Sequence, residues 1–244
     1  HHALIEGAEV REIPTVDGYH DLESMANAID EQTTVVWLCA PDNPTGTTFD
    51  QQQFTDFMSR CPKDVLVVLD QAYFEFVDEA HRLADQENLD TYDNLIILRT
   101  FSKAYGLAGI RVGYGITQEK IAKKLDVVRG PFNLTSIAEN AALIALSDQE
   151  FIRETVQKNK QAKHKFQQFL DRIGWHYYET HTNFILVSTP LSGHDMFDYL
   201  IKHGYIIRPG DLLGYPNTIR ITIGTEAQME KLASILEELH HSLK

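Results

Sequence analysis

The chain has 244 residues, of which 43% are hydrophobic, and its 35 acidic and 22 basic side chains leave a net charge of -13. That length accommodates one large domain or two modest ones with a sizeable core, and the acidic balance argues against nucleic acid and anionic membrane surfaces as partners. An anionic small molecule stays open, because local arginines can reverse the field inside a pocket.

The first seven residues read as the end of a helix leading into a strand over Glu9 to Ile13. Asp21 to Asp30 is predicted as an amphipathic helix with Asp21 as its cap. Thr34 to Cys39 is a continuous apolar run, the pattern of a parallel strand buried on both faces. Pro41 ends it, and Asn43-Pro44-Thr45-Gly46 forms a turn. Asp50 to Arg60 is helical, with Phe54, Phe57 and Met58 on one face; Val65 to Leu69 is the next strand, closing on Asp70. Residues 78–94 are charged and short of apolar periodicity, which suggests a surface loop or loose helix. Leu95 to Leu98 and Arg111 to Ile116 are strands on either side of an irregular stretch. This alternation is the rhythm of an α/β fold with a mostly parallel, doubly wound sheet.

From Thr117 the pattern changes. Helices over Gln118 to Val128, Ser136 to Leu146 and Gln149 to Ile173 precede short strands at Trp175 to Tyr178, Phe184 to Val187, Ile206 to Arg208 and Thr218 to Ile223. These strands alternate with helices over 193–203 and 226–243, giving a smaller C-terminal α+β domain. The expected boundary lies near Ser147-Asp148, dividing the chain into 1–147 and 148–244.

Three polar clusters follow three successive strands. The first is Asn43 to Gly46, the second Asp70-Gln71-Ala72-Tyr73, and the third runs from Arg99 through Ser102 and Lys103 to Arg111. Ligands of open α/β sheets bind at such strand ends, so the three would face one crevice. A lysine there can act as a Schiff-base nucleophile, and an arginine can grip a phosphate with two prongs. Taken singly, each residue has a plain structural alternative. Ser102 could cap a helix, Lys103 could be a solvated charge, Asp70 could cap the next helix, and Asn43 could make an Asx turn. Thr100, β-branched at a strand end, needs no function. Cys39 and Cys61 are too few for a disulfide framework and suit a reducing cytosol; Cys39 reads as a small core residue. No apolar run approaches the ~20 residues of a membrane span, and no signal peptide is visible. The eleven histidines include no His-Glu-x-x-His or paired-cysteine pattern, so no metal is expected.

The segments APDNPTGT, VVLDQAYFEF, RTFSKAYGLAGIRVGYGI, TNFILV and LGYPNTIRITIGT, in this order, resemble pyridoxal-phosphate enzymes of the aspartate-aminotransferase fold, and specifically the histidinol-phosphate aminotransferases. Any one tetrapeptide is weak evidence; the ordered set spans nearly the whole chain. Gln71 departs from the glutamate more usual there. The resemblance makes 1–147 a fold-type-I large domain that binds pyridoxal 5'-phosphate, with the family's phosphate-binding loop and ring-stacking aromatic expected in a segment ahead of this start. The opening lacks a methionine, and His1-His2 reads either as a tag remnant or as native sequence.

By the same resemblance, Lys103 forms the Schiff base and then shuttles a proton at the substrate carbon. Its amine must be neutral part of the time, which nearby cations or desolvation would favour. Asp70 pairs with the ring nitrogen, keeping the ring an electron sink. Tyr73 and Asn43 reach its phenolic oxygen. Arg111, Ser102 and Thr100 hold the phosphate, for which a guanidinium is better suited than an ammonium. Arg220, a charge in an apolar strand, binds the substrate's anionic group, with Arg208 and Asn183 as further candidates. By period-two alternation alone Arg220 is equally an outward residue. The implied enzyme is a cytoplasmic homodimer that transfers an amino group between small-molecule partners, converting histidinol phosphate and 2-oxoglutarate to imidazole-acetol phosphate and glutamate in histidine biosynthesis. The alternatives are an aromatic amino acid aminotransferase, a decarboxylase of phosphorylated substrates on the same scaffold, and a non-catalytic cofactor-binding regulatory module.

Overall fold

A computed structural model describes residues 2–243; His1 and Lys244, the outermost residues of the two expected units, lie outside it. After a single helical turn, α1 (His2–Ile5), the chain reaches α2 (Leu22–Asn27), whose first turn is closed by the Asp21 carboxylate accepting from Ser24 N at 2.9 Å. Glu9 to Ile13 forms no strand; the one bridge nearby, Val16 with Tyr19, lies beyond it.

The first sheet has the order β1 (Val35–Cys39), β2 (Leu66–Asp70), β3 (Leu95–Thr100), β4 (Gly113–Thr117). The first three strands run parallel and β4 is antiparallel to β3. The register sets Cys39 opposite Asp70 and Asp70 opposite Leu98, so the polar clusters leave the sheet along one edge. Helix α3 (Gln51–Arg60) starts from a capping box of Asp50 and Gln53 and lays Phe54, Phe57 and Met58 against Leu38, Val67 and Leu69. Each such aromatic buries enough apolar surface for about 2–3 kcal/mol. Two expectations fail here. β1 lies at the edge of the described sheet with only one face packed, so Val36 and Leu38 are buried while Trp37 is 57% exposed. Residues 78–94, expected as a surface loop or loose helix, do carry a helix, α4 (Asp85–Thr91), but the segment is not loose: Leu83, Asn88 and Leu89 are buried. Their apolar positions are too few to show a period, but they suffice to pin the segment.

Beyond β4, α5 (Glu119–Val128) and α6 (Ser136–Ser147) lead into the 25-residue α7 (Gln149–Ile173), which Asp148 caps and Gly174 ends in a left-handed conformation. The second sheet has the order β5 (Phe184–Ser188), β7 (Thr218–Thr222), β6 (Arg208–Pro209), all antiparallel. The expected strand over Trp175 to Tyr178 reduces to one bridge, Tyr177 with Val187. Helices α7, α8 (Gly193–Lys202) and α9 (Glu226–Ser242) cover one face of this sheet and form its core with Phe166, Leu170, Leu200 and Leu236. A smaller cluster joins the two sheets' territories: Tyr73, Phe76 and Ala104 pack with Ile152 of α7 and Phe184 of β5.

Candidate active site

Three strand ends build one wall. After β1, the Asp42 carboxylate accepts from the Thr45 hydroxyl at 3.0 Å, and the Thr47 hydroxyl donates to Gly18 O at 2.7 Å. The turn so fixed leaves Asn43 exposed at its tip. Gly46 has φ +89°, and a Cβ there would lie 2.2 Å from Thr180 Oγ1, so the turn can seat against Thr180 only with glycine. After β2, Asp70 accepts from Ala72 N at 2.9 Å. Burial raises its carboxyl above the usual range, opposed by that hydrogen bond and the charge of Lys103. Tyr73 is buried with its ring edge-on to Phe184, centroids 5.1 Å apart, and Lys103 Nζ lies 5.3 Å from its ring centre.

After β3, Thr100 Oγ1 accepts from Ser102 N at 3.1 Å and turns the backbone so that no helix follows directly. Arg111 precedes β4 rather than belonging to it and takes a left-handed φ of 56°. Its guanidinium donates to Ala108 O at 2.8 Å and reaches Ser102 Oγ at 3.5 Å. Asp70, Thr100, Ser102, Lys103 and Arg111 line one cavity of about 320 Å³.

The second sheet contributes a cation. Ile219 and Ile221 of β7 point into its core, so Arg220 between them points the other way. That face meets the turn after β1: Arg220 Nη1 donates to Asn43 Oδ1, and the guanidinium lies 4.8 Å from the Phe184 ring centre. Arg220 Nε is buried without a hydrogen-bond partner among the described residues. Its charge also lowers the Tyr73 phenol, partly offsetting the larger upward push of burial. Arg208 is exposed and stands opposite Arg220 in the β6–β7 register, which places both on one face. Asn183, half-buried just before β5, accepts from Ile223 N through its backbone carbonyl at 2.8 Å and so serves the sheet backbone.

One network escaped sequence reasoning. The Arg99 guanidinium stacks 3.4 Å above the Phe74 ring, donates to Gln71 Oε1 at 3.1 Å and forms an ion pair with Asp85. Gln71 Nε2 in turn donates to Asp85 Oδ1 at 2.8 Å. The amide at position 71 therefore works because Asp85 provides the carboxylate that Arg99 needs. Its only signal in the sequence was the unusual glutamine.

A mostly parallel sheet with its polar clusters on one edge, met by an arginine from a separate antiparallel sheet, is the architecture of the aspartate-aminotransferase fold. The aspartate aminotransferase of Thermus thermophilus shares it with a TM-score of 0.77 at 20% identity, over 89% of this chain and 62% of that one. The chain belongs to the aminotransferase class I and II family, whose model matches residues 2–236. It is 52% identical, over its whole length, to histidinol-phosphate aminotransferase 2 of Oceanobacillus iheyensis, of which it covers 67%. A Geobacillus histidinol-phosphate aminotransferase is 51% identical over 98% of the chain, with 66% of that protein covered. The histidinol-phosphate aminotransferase of Sinorhizobium meliloti, solved in complex with pyridoxal-5'-phosphate, superposes with a TM-score of 0.90 at 31% identity, over all of this chain and 67% of that one. The chain thus spans about two thirds of the length of the curated relatives it matches.

Proposed function

We propose that the chain carries the lysine-bearing part of a pyridoxal-phosphate-dependent histidinol-phosphate aminotransferase acting in histidine biosynthesis. The observation that carries this reading is that Lys103, Asp70 and the Thr100–Ser102–Arg111 set line one cavity with Tyr73 at its side. The donor set fits the cofactor at both ends. Two hydroxyls and a guanidinium suit a phosphate monoester, and a carboxylate held within the protein suits a protonated ring nitrogen. Arg111, Ser102 and Thr100 would hold the phosphate, Asp70 the ring nitrogen, and Tyr73 with Asn43 the phenolic oxygen. When bound, pyridoxal phosphate supplies an electron sink for negative charge at the substrate α-carbon. Lys103 Nζ would anchor it and would carry a proton to and from the substrate α-carbon. Arg220 binds the anionic group of either substrate, glutamate or the phosphorylated imidazole compound, one after the other in the same pocket.

This reading also makes the enzyme a cytoplasmic homodimer. No helix among the described residues is long and apolar enough to cross a membrane. Ile137, Leu143 and Ile144 of α6 stand 74%, 67% and 70% exposed, an apolar face suited to a second chain. Titrating the chain with pyridoxal phosphate and following visible-edge absorption tests the central point. The Lys103→Ala variant is expected to lose the covalent band; a band that survives moves the Schiff base to another lysine. Steady-state assays of the full-length enzyme with histidinol phosphate against phenylalanine separate the proposed substrate from the aromatic alternative.

A further inference from the structure

Just behind the wall described above, three potential metal ligands from two segments face one another. His20 Nε2, Cys39 Sγ and an Asp42 carboxylate oxygen all lie within 4.8 Å of one another. His20 and Cys39 are half-buried and Asp42 is buried, so this is a sheltered cluster and not a patch of surface acids. The His20 ring is held edge-on against Phe49, with centroids 6.2 Å apart, and the other Asp42 oxygen is fixed by the Thr45 hydroxyl. The contacts inside the cluster are long. Cys39 N reaches His20 Nε2 at 3.4 Å, and Nε2 stands 3.4 Å from Asp42 Oδ1, both beyond the usual 2.7–3.2 Å. Three donor atoms have been brought together by packing without strong bonds to one another.

From this convergence we infer that His20, Cys39 and Asp42 form a site for a borderline transition-metal cation of the Zn²⁺ type. An imidazole nitrogen, a thiolate and a carboxylate oxygen are the ligand types such a cation takes, with water completing a tetrahedron. Binding would draw the three atoms together at the expense of only the two long contacts. Burial and the charges of Asp70 and Asp42 push the free thiol up to about 12, so it is protonated before the metal arrives. A divalent cation inverts that local preference: the sulfur–metal bond forms as the thiol proton leaves to solvent, with no change in oxidation state. The positions 20, 39 and 42 match no metal-binding spacing, which is why the sequence pointed to no metal. Cys39 pairs with Asp70 across β1 and β2, and Asp42 precedes Asn43, so a bound cation would also restrain the turn that carries Asn43. That effect on turnover rests on the proposed function; the site itself does not.

Adding Co²⁺ alone to the chain, without pyridoxal phosphate, reads the site directly through the thiolate-to-cobalt absorption band. The expected result is a saturable band of one equivalent that strengthens as pH rises and is displaced by Zn²⁺. The band is lost in Cys39→Ser and Asp42→Asn weakens it, while Cys61→Ser leaves it unchanged. Circular dichroism confirms that each variant is folded, and His20→Asn serves as a second ligand variant should Cys39→Ser not fold. Absence of a thiolate band at saturating Co²⁺, including cobalt held only by imidazoles such as the His240-His241 pair, overturns the proposal. So does a band that persists in Cys39→Ser or disappears in Cys61→Ser.

Discussion

Arg220 illustrates how a single side chain can be read two ways until its neighbours are known. Its guanidinium gives one nitrogen to Asn43, stacks on Phe184 and keeps a buried Nε unbonded. A planar fork with a free donor is suited to an oxyanion arriving from the cavity side, and an ammonium on a flexible stem is not. Replacing Arg220 by Lys keeps the charge but loses the fork and the Asn43 contact. The expected cost is about 2 kcal/mol of transition-state binding, roughly a 30-fold fall in kcat/KM, with KM for the dicarboxylate donor taking most of it. Steady-state kinetics of the full-length variant check this; an unchanged kcat/KM would place the substrate's anionic group elsewhere. The Gln71–Asp85–Arg99 network makes a complementary case. Asp85→Asn removes the ion-pair partner of the half-buried Arg99, leaving it the Gln71 amide oxygen and the Phe74 ring. A loss of about 2–4 kcal/mol is expected by urea unfolding, larger than for an exposed pair such as Lys123 with Glu119, which contributes about 0.5 kcal/mol or less.

At the scale of elements, the Asn43–Gly46 turn is the tightest joint. A methyl group added at position 46 runs into the Thr180 side chain and must also adopt a positive φ. Gly46→Ala should therefore destabilise by about 2–4 kcal/mol, whereas Gly109→Ala, whose Cβ would meet nothing within 4 Å, should be nearly neutral. The denaturation midpoints of the two variants decide it. The elements themselves were largely visible in the sequence wherever periodicity and a cap coincide: α3, α7 and α9 follow their apolar spacing from Asp50, Asp148 and Thr225. Strand centres were equally plain. Elements defined by pairing alone were not, because Glu9 to Ile13 and Trp175 to Tyr178 alternate correctly yet find only isolated bridges or none. The cavity-lining residues were legible because they cluster beside strand ends. The Arg99 network and the His20–Cys39–Asp42 convergence were not, since only the folded chain brings their members together.

At the scale of the whole molecule, the layers built on the two sheets meet along α7 and the 179–182 segment. Lys163 of α7 donates from its buried ammonium to Thr180 O and Thr182 O at 2.9 and 3.0 Å. Burial lowers its pKa from 10.5 to about 8. The unfolded chain therefore holds more protons than the folded one between these values, so this residue makes stability rise as pH increases from about 8 to about 10.5. Unfolding free energies across that range should show a shallower slope in Lys163→Met. An identical slope would mean that the ammonium is as well solvated in the fold as outside it.

Helix α7 changes allegiance along its length. Ile152 and Val156 pack with Tyr73 and Ala104, Lys160 pairs with Asp78, and from Ala162 onward the buried residues belong to the other core. Someone grafting the C-terminal half of a relative onto this chain at residue 148 would bring in a foreign first two turns beneath Tyr73. Splicing inside the helix, between Lys160 and Ala162, keeps each partner's native interlocking residues with their own side of the molecule, although it cuts through unbroken helix.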